Sequence, residues 1–186
     1  MKRLLAVVGL MVFLMGCGAE NSSTDGAVSL RNSILRCNQC SFNAQVTADY
    51  GDSLYTFDMV CKYDAEGDMS VTVTAPETIS GVTARISKGT GQLTFDDKAL
   101  TFALLADGVI TPISAPWLFM EALTGGYISA CGKDGDKLRI QIDDTFAEAQ
   151  FHVDIWTMVD GTPARGEIVW QGRRIVSIEI KDFVIV

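Results

Sequence analysis

Ser41-Phe42-Asn43-Ala44-Gln45-Val46-Thr47-Ala48-Asp49-Tyr50-Gly51-Asp52-Ser53-Leu54-Tyr55-Thr56-Phe57-Asp58-Met59-Val60-Cys61-Lys62-Tyr63 is the stretch whose reading decides the fold. Phe42, Ala44, Val46, Ala48 and Tyr50 share one face, with Asn43, Gln45, Thr47 and Asp49 on the other. The alternation resumes after Gly51-Asp52 with Tyr55, Phe57, Met59, Cys61 and Tyr63. Period-two alternation in β-branched and aromatic residues is the pattern of a half-buried antiparallel strand. Glycine first in a two-residue loop suits a type II′ hairpin turn. That turn sets Tyr50 opposite Ser53, Ala48 opposite Tyr55, Val46 opposite Phe57 and Phe42 opposite Cys61. The same register keeps every inward residue on one face, so turn chemistry and patterning agree.

The pattern extends outward from this hairpin. Met69, Val71, Val73 and Ala75 alternate in a third strand, with Tyr63 facing Met69 and Cys61 facing Val71. Pro76 then interrupts the ladder, as proline does inside a sheet. Val82-Ile86, Leu93-Phe95 and Leu100-Leu104 give three further strands, with Asp96-Asp97 as a turn. Strands from Tyr127, Leu138, Ala149, Glu167 and Ile175 complete the count. Between the two groups, residues 112–124 read as a helix. Ser114 is a fair N-cap, Pro116 is tolerated in the first turn, and Gly125 marks a stop. Trp117, Leu118, Phe119, Met120, Ala122 and Leu123 make it apolar almost all round, which is the mark of a buried helix or one facing something apolar. Leu30, Ile34 and Cys37 at helical spacing predict a short helix over 28–36. Strands in meander order without crossover helices argue against a βαβ fold. The expected class is α+β and mostly antiparallel β: a curved incomplete β-barrel of about eleven strands, with two or three helices covering its concave face.

The start of the chain carries an address. Lys2 and Arg3 precede twelve apolar residues, Leu4–Met15, and then Gly16-Cys17. Twelve residues are too few to span about 30 Å of hydrocarbon as a helix, so the segment reads as a signal peptide. Its end, Leu14-Met15-Gly16-Cys17, resembles the lipobox of bacterial lipoproteins. That resemblance implies cleavage after residue 16 and a diacylglycerol thioether on Cys17, an anchor to the membrane. Residues 18–27 are small and polar, the composition of a tether. The expected organisation is a signal peptide over 1–16, a lipidated N-terminus and tether over 17–27, and one domain over 28–186. The expected location is outside the cytoplasm, at the cell membrane.

The chain carries a net charge of −8, and losing Lys2 and Arg3 takes the mature form to −10. Arg173-Arg174 is the only basic pair after the signal peptide. An acidic chain without a basic cluster is ill suited to nucleic acid. Cys37, Cys40, Cys61 and Cys131 remain once Cys17 is lipidated. Outside the cytoplasm an even number of cysteines suggests disulfides. The hairpin register sets Cys40 diagonal to Cys61, and a bend at the strand end would let these two bridge; diagonal neighbours otherwise lie too far apart. Cys37-Asn38-Gln39-Cys40 has C-x-x-C spacing, but it ends a helix and enters a strand. The thioredoxin-type motif opens a helix after a strand. A zinc site would need a second close pair, which Cys61 and Cys131 do not form.

No catalytic constellation emerges. His152 stands beside Asp154 on the polar face of a strand, yet a triad also needs an activated nucleophile. Asp96-Asp97 and Asp143-Asp144 lack the repeating oxygen ligands of a calcium loop. The expectation is a protein that is not an enzyme and uses no cofactor or metal.

Several features in sequence carry a resemblance: the lipobox, Ser41-Phe42-x-Ala44, Ala75-Pro76-Glu77-x-Ile79-x-Gly81 and Thr111-Pro112 before a helix. Asp160-Gly161-x-Pro163 and the closing Ile178-Glu179-Ile180-x-Asp182-Phe183 complete it. The chain resembles small lipoproteins of the LolA/LolB-like superfamily over residues 28–186. The resemblance implies an open barrel whose concave face is covered by helices and, in the outer-membrane sorting members, holds acyl chains. Arg85 lies near the strand of the carriers' functional arginine, without a local motif to match it. Two functions follow as expectations. In one, Tyr55, Phe57, Met59, Phe102, Trp117 and Met120 line a concave site for an acyl chain or another apolar ligand. In the other, the domain docks a second cell-envelope protein, with Trp156 among Glu148, Gln150, His152 and Asp154 as its anchor.

Overall fold

The computed structural model describes residues 19–87, 90–95, 98–103, 105–106, 109–143 and 151–186, with side chains throughout except at 19–22, 102–103, 105–106 and 109. Cys17, the signal peptide and the Asp96-Asp97 turn lie outside the described residues.

Helix α1 (Ala19–Leu35) precedes six strands: β1 (Gln39–Asp49), β2 (Leu54–Asp64), β3 (Met69–Ala75), β4 (Thr83–Ser87), β5 (Thr90–Phe95) and β6 (Lys98–Ala103). The two-residue strands β7 (Leu105–Ala106) and β8 (Val109–Ile110) form a separate ladder. After a 3-10 turn at Pro112–Ser114 comes helix α2 (Ala115–Gly125). Strands β9 (Tyr127–Asp134), β10 (Lys137–Asp143), β11 (Phe151–Thr157), β12 (Pro163–Trp170) and β13 (Arg173–Ile185) end the chain. Eleven strands make one antiparallel sheet in the order β6-β5-β4-β3-β2-β1-β13-β12-β11-β10-β9. Its edges, β6 and β9, do not pair, so the barrel is open. The strand count agrees with expectation, and among the described residues the α-helices number two.

The first hairpin has the register its sequence predicts. Ala48 faces Tyr55, Val46 faces Phe57 and Phe42 faces Cys61. The Tyr50 N–H donates to the Ser53 carbonyl at 3.0 Å, and Gly51 turns the chain with φ +90°. A residue with a Cβ is strained at that angle. Tyr63 faces Met69 and Cys61 faces Val71, again as the alternation requires.

Helix α1 begins at Ala19, well before the expected Val28, so residues 19–27 are helical where a tether composition was read. The cause is a stripe too small in volume to register as amphipathic. Ser23, Ala27, Leu30 and Ile34 recur at helical spacing and are all buried. They pack on β9, β10 and α2. The Arg31 side chain joins the two helices, donating from Nε to the Leu123 carbonyl at 2.6 Å and from a terminal nitrogen to the Gly126 carbonyl at 2.7 Å. Carbonyls at a helix C-terminus lack intrahelical partners, and a cation there satisfies them.

Helix α2 is the plug. The chain crosses from edge strand β6 to edge strand β9 by way of β7, β8 and α2, and this crossing fills the concave face. All six of Trp117, Leu118, Phe119, Met120, Ala122 and Leu123 are buried. The helix packs on β1, β2, β10, β12 and β13. Its polar atoms are met at the far side: Trp117 Nε1 donates to the Gly67 carbonyl at 2.9 Å, and the Tyr63 hydroxyl donates to Glu121 Oε1 at 2.9 Å. Burial pushes the Tyr63 phenol well above its usual range. Phe119 reaches the sheet because Gly166 on β12 has no side chain. A Cβ there would lie 2.6 Å from the Phe119 ring.

Overpacking a core costs about 1–3 kcal/mol. Gly166→Ala is expected to lower stability by that amount, read as a lower urea midpoint at unchanged slope. An unchanged midpoint would show that Phe119 is not seated on this glycine.

Candidate functional site

Helix α2 packs on β1, β2, β10, β12 and β13, and a groove lies beside it on the inner face. Over β2–β5 the inner face is exposed as a groove of about 320 Å³. Strand β2 contributes Phe57 and Met59, β3 contributes Val73, and β5 contributes Leu93 and Phe95. Ile79 and Val82 close one side from the turn between β3 and β4, and Pro112 and Ile113 close the other ahead of α2. Every lining side chain is a hydrocarbon or a thioether, without a hydrogen-bonding or charged group. The alternation that built the hairpin also explains this chemistry. Phe57 and Met59 point inward because they share a face with Cys61 and Tyr63, both buried in the core.

Around the groove the apolar surface continues to the solvent. Tyr55 is 48% exposed, Phe95 47% and Leu100 64%. The Tyr55 ring stacks on Phe57 at 6.5 Å and meets Tyr50 at 6.0 Å. Tyr50 in turn donates its hydroxyl to the Ile110 carbonyl at 2.9 Å, which ties the start of the β8–α2 connection to the hairpin turn.

Of the six residues expected to line a concave site, Phe57 and Met59 do so and Tyr55 forms the rim. Phe102 lies on β6 opposite Gly91, and its side chain lies outside the described residues. Trp117 and Met120 are core residues, 6% and 0% exposed, turned toward the sheet and the β2–β3 turn instead of the groove. An all-apolar helix carries no sequence signal for which side meets a ligand. Val73, Val82 and Leu93 alternate on the same inner face, and that face was legible. Ile79, Pro112 and Ile113 come from loops, whose placement periodicity does not report.

On the outer face, Trp156 is engaged within the molecule and is not a bare anchor. Arg139 and Arg165 lie against its ring, with guanidinium carbons 5.4 and 5.1 Å from the centroid. Its Nε1–H donates to Asp134 at 2.7 Å. Arg139 also pairs with the buried Asp154 through two bonds of 3.2 and 2.9 Å. That hydrogen bond raises the Arg139 pKa. His152 Nε2 stands 3.7 Å from the same carboxylate. Asp154 thus anchors an arginine and, through it, the tryptophan. Glu148 and Gln150 lie outside the described residues.

The thiols do not pair as the diagonal suggested. Cys40 and Cys61 are both free and buried, because Cys40 lies opposite Tyr63 and its sulfur turns to Cys37. Among the described residues, three or more metal-ligating side chains do not converge anywhere, and neither helix is long and apolar enough to cross a membrane.

Charge-assisted hydrogen bonds contribute about 1.5–3 kcal/mol each. Asp154→Asn is expected to lower stability by about 1–3 kcal/mol and to red-shift Trp156 fluorescence as its ring loosens, with the groove unaffected. An unchanged emission spectrum would separate Trp156 from the Arg139–Asp154 pair.

No family model matches the chain, and no curated protein matches it significantly. Solved structures do match. An outer membrane lipoprotein-sorting protein domain from Vibrio parahaemolyticus superposes with a TM-score of 0.53 at 8% identity, covering 89% of this chain and 93% of that one. A DUF1329 family protein from Desulfovibrio piger superposes at 0.50 and 8% identity, covering 89% and 92%. A LolA superfamily protein from Nitrosomonas europaea matches at 0.45 and 8% identity, covering 84% and 92%. Identity this low speaks to architecture alone, and the open eleven-stranded sheet wrapped on a central helix has the LolA-like fold.

Proposed function

We propose that this protein is a membrane-anchored lipoprotein outside the cytoplasm that holds an apolar chain, an acyl chain in chemical class, in the groove over β2–β5. The carrying observation is the lining: a concave site of about 320 Å³ composed wholly of apolar side chains, left open to solvent with an exposed aromatic rim. A volume in this range accommodates a small ligand. With no polar group in the lining, the site reads hydrocarbon and leaves any headgroup in water at the rim. Phe57, Met59 and Leu93 provide flexible and aromatic contacts that accept chains of varied shape.

The anchor rests on the lipobox and Cys17. Because α1 starts at Ala19, few residues separate the lipid from the folded domain, and the groove works close to the membrane surface. The reading is of a binder and not of an enzyme. Asp154, whose carboxylate stands 3.7 Å from His152, is already committed to Arg139.

The test uses the chain carrying Cys17→Ser, purified without detergent and titrated with a long-chain fatty acid under native mass spectrometry. The expected result is one bound molecule, with at least tenfold weaker uptake in Phe57→Asp and Leu93→Asp and no change in Trp156→Ala. Far-UV circular dichroism establishes that the variants remain folded. A folded protein that takes up no fatty acid, or equal uptake by Phe57→Asp, would overturn the proposal.

A further inference from the structure

At the junction of α1 and β1 the structure brings together two thiols that the groove does not use. Cys37 Sγ and Cys40 Sγ are 3.2 Å apart. We propose that Cys37 and Cys40 are a modification site: a dithiol that disulfide donors oxidise to an intramolecular disulfide, fixing the exit of α1 on the first turn of β1.

Both sulfurs are carried by backbone that is held independently. On the helix side, the Cys37 N–H donates to the Ile34 carbonyl at 3.2 Å and the Cys37 thiol to the same oxygen at 2.9 Å. On the strand side, Cys40 pairs across to Tyr63 on β2 and to Ile185 on β13. The two residues between them are also tied. The N–H groups of Asn38 and Gln39 both donate to the Val186 carbonyl, at 2.9 and 3.2 Å, and the Asn38 carbonyl accepts from Ala65 at 3.1 Å. The short link is thus braced by the end of the chain and by the β2–β3 turn. A disulfide needs its sulfurs at about 2.05 Å, a closure of little more than an ångström from where they stand. Small side-chain rotations suffice, with the bracing bonds kept.

The two thiols differ in a way that sets the order of events. Cys37 is partly exposed and Cys40 is fully buried. Burial, with the hydrogen bond to Cys37, pushes the Cys40 thiol up to about 12. Cys37 is therefore the sulfur that an external disulfide meets. Its thiolate attacks one sulfur of the donor, the donor's S–S bond breaks, and one donor thiol leaves with the proton that Cys37 has lost. Cys40 then attacks Cys37 Sγ, the mixed disulfide breaks, and the second donor thiol leaves with the Cys40 proton. Two electrons pass from the protein dithiol to the donor, which is reduced to two thiols.

The other cysteines are placed apart from this pair. Cys61 is buried opposite Phe42 and Val71, where burial holds its thiol far above the usual range. Cys131 lies on β9 opposite Ile140, near Arg31.

The test treats the folded full chain carrying Cys17→Ser with oxidised glutathione, then denatures it in alkylating reagent. Trypsin cuts after Arg36 and chymotrypsin after Phe42, which separates Cys37 and Cys40 from Cys61. The expected product is a 37–42 peptide about 2 Da lighter and unalkylated, with Cys61 and Cys131 alkylated. Dithiothreitol should restore alkylation at both sites, Cys61→Ser should form the bond as before, and Cys37→Ser should not form it. Four alkylated thiols after oxidant, a glutathione adduct left on Cys37, or a bond to Cys61 or Cys131 would each overturn the proposal.

Discussion

A helix with apolar side chains all the way round cannot rest on a flat sheet, because one face would remain in water. Helix α2 is such an element, and the curvature of the sheet answers it. Strands β1, β2, β10, β12 and β13 converge on it from several directions, α1 covers another side, and the Arg31 guanidinium closes its C-terminal carbonyls. The fit is specific at Gly166, where the missing side chain admits the ring of Phe119. A buried aromatic of this size contributes about 3–5 kcal/mol to stability, a large share of the net stability of any domain.

The groove is the complement of that plug. A helix of 11 residues is about 16 Å long and cannot cover the inner face of an eleven-stranded sheet. The covered part becomes core. Beyond the reach of α2, over β2–β5, the same inward alternation lines the groove, with Pro112 and Ile113 at its border. Stability and site therefore derive from one pattern. Met59, 2% exposed, belongs to both, lying at the boundary where core passes into groove.

Much of this was legible in the residues alone. The period-two runs and the Gly51-Asp52 turn fixed register, face and meander order, since a slip by one residue would turn Phe42, Val46 and Met59 to solvent. What escaped has a common cause: small residues and non-local geometry. Ser23 and Ala27 are buried on α1, yet neither registers as an apolar stripe. Trp117 and Phe57 have equal claims on a ligand in sequence, and only the direction from which the sheet wraps α2 decides between them. Trp156 reads as a lone aromatic among polar residues, whereas Arg139 and Arg165, which flank it, come from two other strands. The thiol geometry likewise depends on how α1 ends, which spacing alone does not specify.

The pairing of β1 with β13 has a kinetic side. The strand made first in the sheet finds one of its two neighbours in the last 13-residue strand of the chain, and the final carbonyl at Val186 accepts from Asn38 and Gln39. A contact of such high sequence separation forms late and slowly. The centre of the sheet therefore stays incomplete until β13 has been made. Until then β1 keeps one edge unpaired beside the β1–β6 meander, a row of backbone donors and acceptors that another strand could meet.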